Sequence, residues 1–183
     1  MPGNGTAYPA ALVPAAIAAA DSGDRGPRHC RQQVAPEVTL EREIPYPPEQ
    51  VFKAWTDQEA LRQWMGPGKI CAPNATMDAR VGGAYVFPMQ RPDGTVTTVR
   101  GVIKELVPNR KLRFTWTWGE EDGTGEDVTE VTLEFHPTAT GTRLALRHTG
   151  FTDQDSRDKH AHGWSGCTDS LELYLAGKLT GCG

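Results

Sequence analysis

From residue 74 to residue 149 apolar side chains recur at every second position, and turn-forming residues punctuate the run. Side chains that alternate in this way point to opposite faces of an extended strand. Leu112, Phe114, Trp116 and Trp118 share one face of such a strand, Val131, Leu133 and Phe135 one face of the next, and Leu144, Leu146 and His148 one face of the last. Gly82-Gly83, Pro92-Asp93-Gly94 and Pro108-Asn109 separate the earlier runs, and "GEEDGTGED" and "PTATG" the later ones. Pro-Asp-Gly between two alternating runs is a hairpin signal. About six antiparallel strands are therefore expected here.

The flanks change period. "EVTLEREIP" alternates and reads as a strand ahead of the others. In "PYPPEQVFKAWTDQEALRQWMGPG", Pro47-Pro48 and Glu49 open a helix that carries Val51, Phe52 and Trp55, and Asp57 caps a second one carrying Leu61 and Trp64. Beyond residue 150 the chain predicts a long helix. A strand, two short helices, a series of strands and a closing helix make an α+β fold with helices on one face of an antiparallel sheet. A strongly twisted sheet of six or seven strands curls. A helix laid across its concave side then leaves a hollow beneath itself.

A chain of 183 residues can bury one substantial core. The net charge of −4 supplies no general attraction to nucleic acid or to anionic membranes. No stretch approaches the roughly 18 apolar residues of a membrane span. The Ala-rich start lacks the Lys or Arg of a secretory leader, and Pro14 interrupts its apolar run. Residues 1–36, rich in Ala, Pro and Gly, are expected to be a disordered extension, residues 37–178 the domain, and residues 179–183 a tail. Cys30, Cys71, Cys167 and Cys182 form no close pair, so reduced thiols in a cytoplasmic protein are expected. No feature of the sequence sets an oligomeric state.

"TLEREIPYPPEQVFKAWTDQEALRQWMGP", "DARVGGAYVF", "GVIKELVPNRKLRFTW" and "HTGF…H…GW…L", in this order, resemble the START-like (SRPBCC) superfamily. The likeness is greatest to proteins similar to the C-terminal domain of the activator of the heat-shock-protein-ninety ATPase. It runs from about Val38 to Leu175. The resemblance implies a helix-grip fold, a curved sheet wrapped around a long C-terminal helix with a cavity between them. It also implies a small hydrophobic or aromatic ligand as partner. Other members act on natural products as enzymes or as self-sacrificing resistance proteins, and one branch assists a chaperone ATPase. Fold does not carry function with it, so all three readings stand at this point. Met65, where relatives often have an aromatic residue, and Thr168, where an apolar one is common, depart from the pattern and bear on the cavity wall.

"DKHAHGWSGCTDSLELYL" brings two histidines and a cysteine close together in sequence. On a helix each residue advances about 100° and about 1.5 Å. His160 and His162 then point roughly 200° apart, and His160 and Cys167 stand roughly 10 Å apart along the axis, too far for zinc ligands at about 2.0–2.3 Å. No metal site is expected. His160, Trp164, Thr168 (or Cys167), Leu171 and Leu175 instead form one stripe facing the sheet. Leu171 and Leu175 read as core, and His160, Trp164 and Thr168 as candidates for a cavity wall.

The remaining ligand-site candidates are Tyr85, Phe87, Trp116 and Trp118, each either core or aromatic wall, together with His148 and, near the mouth, Trp64. His148 reads as a satisfied structural histidine before a general base; it and His160 are the weak catalytic candidates. Arg100 reads as solvent-facing. The acidic "GEEDGTGED" lacks the spacing of a calcium loop and reads as a solvated turn. No nucleophile elbow, phosphate-cradling loop or zinc-protease signature is present, and no cofactor is implied.

Overall fold

The computed structural model describes residues 35–119 and 128–179, so residues 1–34, Cys30, Cys182 and the acidic turn from Glu120 to Asp127 lie outside the described residues. The chain runs through β1 (Val38–Ile44), α1 (Pro48–Thr56), α2 (Gln58–Trp64), β2 (Thr76–Met77), β3 (Ala84–Gln90), β4 (Val96–Val107), β5 (Lys111–Trp118), β6 (Thr129–Thr138), β7 (Gly141–Thr149) and α3 (Gln154–Leu175). All strands join one antiparallel sheet in the order β1-β7-β6-β5-β4-β3-β2. The first strand thus closes one edge beside the last, and α1 and α2 link that edge to β2 at the other.

Local chemistry sets the elements. Pro47, at φ −64°, precedes Pro48 at the first turn of α1, where a missing N–H costs nothing. Asp57 caps α2 through its carboxylate, which accepts from the N–H of Glu59 at 2.9 Å and of Ala60 at 3.3 Å. Asp153 caps α3 by accepting from Ser156 N–H at 2.8 Å. At Pro92-Asp93-Gly94 the β3–β4 hairpin closes with Arg91 N–H donating to Thr95 O at 2.8 Å, and Gly94 takes φ +85°, which glycine adopts at no steric cost.

The core lies between the sheet and the three helices. Strand faces alternate as the period-two pattern predicts: Leu112, Phe114 and Trp116 are buried on β5, Val131, Leu133 and Phe135 on β6, and Leu144, Leu146 and His148 on β7. Tyr85 and Phe87 of β3 are core: their rings pack at 4.5 Å, and the Tyr85 hydroxyl donates to Thr115 O at 2.6 Å. Gly101 makes room for Tyr85, since a Cβ there would lie 2.8 Å from the Tyr85 ring.

The long helix is held by two kinds of contact. Trp164, Cys167, Thr168, Ser170 and Leu171 are buried against the sheet and α2. At the edge, Arg42 of β1 donates from Nη2 to Ser165 Oγ and Asp169 Oδ1, both at 3.1 Å, and from Nε to Thr168 Oγ1 at 3.3 Å.

The thiol expectation is corrected at one position. Cys71 is disulfide-bonded, which withdraws the thiol argument for a cytoplasmic location, because disulfides persist mainly in oxidising compartments. Cys167 is free and buried, and burial pushes its thiol up to about 12. Leu179, first residue of the expected tail, packs half-buried against the core. Among the described residues no helix is long and apolar enough to cross a membrane.

Candidate functional site

The inner face of β5 divides along its length. Leu112 and Phe114 sit deep in the core, whereas Trp116 and Trp118 reach a cavity of about 720 Å³ beneath the N-terminal half of α3. That helix presents Ser156, His160, Gly163, Trp164 and Cys167 to the same space, at the spacing of a single helical face. Met89 of β3 and Thr97 of β4 close a further side, Pro67 and Ile70 form another wall, and Phe151 comes from the turn after β7. The volume lies within the roughly 300–1,000 Å³ usual for small-molecule sites. Its inner surface is dominated by indole and phenyl rings, with charged groups toward the rim.

A relay of hydrogen bonds stands behind this wall. Thr129 Oγ1 has one proton and donates it to Trp116 O at 2.9 Å. The 2.6 Å contact between Thr129 Oγ1 and His148 Nε2 is therefore donated by the imidazole. His148 Nδ1 accepts from Trp164 Nε1–H at 2.9 Å. His148 is consequently the neutral tautomer with its proton on Nε2. It is 0% exposed, and burial, aided by the nearby His160, drives its pKa down to about 3.

His160 adopts the opposite tautomer. Its Nδ1 lies 2.7 Å from Ser156 O, which can only accept, so Nδ1 carries the proton. Its Nε2 accepts from Trp118 Nε1–H at 2.8 Å. Every ring nitrogen of both histidines is thus committed within the protein. Phe151 packs on both, at 4.5 Å from His148 and 5.0 Å from His160.

Ring contacts link all five tryptophans. Trp64 touches Trp55 at 4.7 Å, Trp55 touches Trp164 at 6.1 Å, Trp164 touches Trp116 at 4.8 Å, and Trp116 touches Trp118 at 5.9 Å. Three indoles donate to protein acceptors, Trp64 to Ala54 O at 2.9 Å and the other two to the histidines. Trp116 and Trp55 have unpartnered Nε1–H groups; of these two, only Trp116 lines the cavity.

The structure brings four of the candidate residues to the cavity: Trp116, Trp118, His160 and Trp164. It places the others elsewhere. Tyr85 and Phe87 are core residues deeper under the sheet, and His148 lies behind the wall as its structural support. Thr168 turns toward β1, where its hydroxyl donates to backbone carbonyls of its own helix and accepts from Arg42. One residue of helix is about 100° of rotation, which is why Cys167 faces the cavity and Thr168 does not. Trp64 lines a second hollow of about 700 Å³ with Gln63, Lys69 and Cys71. Met65 is buried at the end of α2 and lines neither hollow. Arg100 is half-buried on the other face of β4, with Nη2 donating to Gly119 O at 3.1 Å.

His160 and His162 both fall within α3, so the helical geometry that separates them applies; among the described residues no cluster of metal-ligating side chains forms. Sequence reasoning missed Gly163, Phe151, Thr129 and Met89. The signal for Gly163 was present, a glycine inside an aromatic helical stripe. Thr129 carried none, because its role depends on the strand pairing opposite it.

A seven-stranded antiparallel sheet gripping one long C-terminal helix, with an aromatic hollow between them, defines a helix-grip protein of the START-like superfamily. More narrowly, the chain belongs to the family described as Activator of Hsp90 ATPase homolog 1-like protein, whose model matches residues 45–176. Among solved structures it is similar to an AHSA1 protein from Silicibacter pomeroyi, at 28% identity and a TM-score of 0.70, covering 78% of this chain and 99% of that one. A protein from Chromobacterium violaceum is 27% identical with a TM-score of 0.67, covering 75% of this chain and 95% of that one. An AHSA1-like protein from Aeromonas hydrophila, at 21% identity and a TM-score of 0.64, covers 77% and 92% respectively and shares the fold. No curated protein matches the chain.

Proposed function

We propose that this chain binds a small hydrophobic or aromatic molecule between β5 and the N-terminal half of α3. The observation that carries this reading is the cavity itself, with Trp116, Trp118, Phe151 and Trp164 in its walls. Flat aromatic surfaces favour a flat apolar guest through offset or edge-on ring packing. The commitment of all four histidine nitrogens supports binding over acid–base chemistry, since a general base needs a free lone pair within reach of its substrate.

Magnitudes set the affinity. A guest burying on the order of 300 Å² of apolar surface gains about 7 kcal/mol at about 25 cal/mol per Å². Association costs at least about 4 kcal/mol. Apolar burial alone thus gives weak, millimolar-range binding, and a well-placed polar contact is needed to tighten it. Native mass spectrometry of the purified protein against a panel of two- and three-ring aromatic compounds tests the reading. A one-to-one complex with at least one compound, accompanied by a change in tryptophan fluorescence, is expected; bare protein across the whole panel overturns it.

A further inference from the structure

Cys71 is disulfide-bonded and Cys167 is free, and the chain holds two further cysteines, Cys30 and Cys182. The partner of Cys71 is one of these two. Cys71 is fixed at the end of β3, where its N–H donates to Gln90 O at 3.1 Å and its carbonyl accepts from Gln90 N–H at 2.7 Å. Beside it, α3 runs along the 66–71 segment in a continuous seam. A Cβ on Gly166 would meet Pro67, and Ser170 Oγ donates to Gly66 O at 2.8 Å. Past the helix, Gly177 takes φ +64°, the left-handed conformation that turns a chain back on its own last turn. Lys178 N–H then donates to Leu173 O at 2.9 Å, and Leu179 arrives at the hollow that Cys71 lines.

We infer that Cys71 is joined to Cys182, so that the seam between α3 and the 66–71 segment ends in a covalent strap. Cys182 stands three residues beyond Leu179, a reach of about 10 Å. A disulfide needs Cα atoms about 5.5–6 Å apart, and the turn at Gly177 has already brought the chain to the right side of the molecule. Cys30 is worse placed. It precedes Glu37 by seven residues, and Glu37 is held at the far edge of the sheet, its carbonyl accepting from Arg157 Nε at 2.8 Å and its carboxylate from Arg147 Nη2 at 2.7 Å. Five strand spacings separate β1 from β3, roughly 24 Å along the sheet at about 4.8 Å each. Seven residues reach about 25 Å only when fully extended, so that arm would have to run taut across the protein. The pairing is independent of the ligand-binding reading, although it fastens a wall of the same cavity, to which Pro67 and Ile70 belong.

Peptide mapping of the full chain tests the pairing. The protein is incubated with oxidised glutathione, which takes two electrons and two protons from the paired thiols and leaves as two reduced glutathiones. Remaining thiols are alkylated, and trypsin digestion without reductant is followed by mass spectrometry. Fragment 70–80 is expected in disulfide linkage to fragment 179–183. Linkage to fragment 29–31, or an alkylated Cys71, overturns the inference. In parallel, Cys182→Ser is expected to leave Cys71 open to alkylation and to lower the denaturation midpoint to that of the reduced wild type, because the closed loop no longer constrains the unfolded chain. Cys30→Ser is expected to change neither. The reverse pattern, with Cys71 released in Cys30→Ser and still bridged in Cys182→Ser, overturns the inference as well.

Discussion

At the scale of single residues the most constrained group is His148. Its imidazole links three strands and a helix: Nε2 donates to Thr129, whose hydroxyl donates to Trp116 O, and Nδ1 receives the Trp164 indole proton. A second proton on the ring would have to point at Trp164 N–H, and it would place a charge in a fully buried site. The pKa is accordingly lowered to about 3, from the ordinary value near 6.5. The unfolded chain then binds a proton that the folded chain refuses as pH falls below about 6.5. Stability is complete above that value and declines toward pH 3, by at most about 1.4 kcal/mol per pH unit from this residue. Denaturant titrations between pH 7 and pH 4 should show this decline, and His148→Gln should flatten it. An unchanged slope in the variant contradicts the assignment.

Why His148 could be placed in the sequence on an apolar strand face, but not given its partners, follows from the same geometry. Alternation along β7 says which side the ring points to. Its partners come from β6 and α3; the β6–β7 register sets Val131 opposite His148, with Thr129 two residues further along the same face, and alternation within β7 does not contain that register. Trp116 and Trp118 illustrate the complementary difficulty. They repeat the pattern of Leu112 and Phe114, and nothing in a period of two says where along a strand the covering helix stops filling the space.

At the scale of elements, α3 carries two glycines with opposite demands. A Cβ on Gly163 would meet nothing within 4 Å, because it would project into the cavity that Gly163 lines. A Cβ on Gly166 would lie 2.6 Å from Pro67 Cβ, closer than two carbons can approach. The same substitution should therefore change stability in opposite directions. Gly163→Ala is expected to stabilise by about 1 kcal/mol through helix propensity. Gly166→Ala is expected to destabilise by about 1–3 kcal/mol, as α3 is pushed from the 67–70 segment. Thermal or denaturant unfolding of the two variants decides it, and a common sign would mean that the helix sits differently on the sheet. The larger Gly163→Leu should intrude into the hollow and weaken binding of a guest that packs against α3.

The helix itself was legible as a stripe, and its start was not. Asp153 is the cap, and the helix begins at Gln154, ahead of the histidines. That early start fixes His160 and His162 on different faces and gives the cavity a wall running from Ser156 to Cys167. Thr168, four residues after Trp164, fits the stripe by spacing. The clamp from Arg42 on β1 draws its hydroxyl to the sheet edge instead. A polar residue at that position is thereby explained: it fastens the helix to the first strand.

At the scale of the whole molecule, order and punctuation of elements sufficed for the fold. Strand, two helices, strands in series and a last helix leave few ways to cover one face of an antiparallel sheet. Closing β1 against β7 places the chain's first and last strands side by side, and α3 then crosses the sheet with its tryptophan against β5. What the order of elements does not contain is the depth of filling. Core rings from β3 and the first half of β5 occupy one end of the space, and the other end remains open beneath α3. A chain of tryptophan ring contacts crosses the interior from the helices to the sheet, from Trp64 through Trp55 and Trp164 to Trp116 and Trp118. The five indoles therefore report on the interior at known depths.

Indole 1H–15N NMR during titration with a small aromatic that dissolves well above the millimolar range, such as acetophenone, is the most direct test of the central claim, that the space between β5 and α3 admits a largely apolar guest. Saturable shifts are predicted for Trp116, Trp118 and Trp164, which line the cavity, with Trp55 and Trp64 nearly still. Signals that do not saturate, or shifts spread over Trp55 and Trp64 while the cavity indoles stay in place, would contradict it.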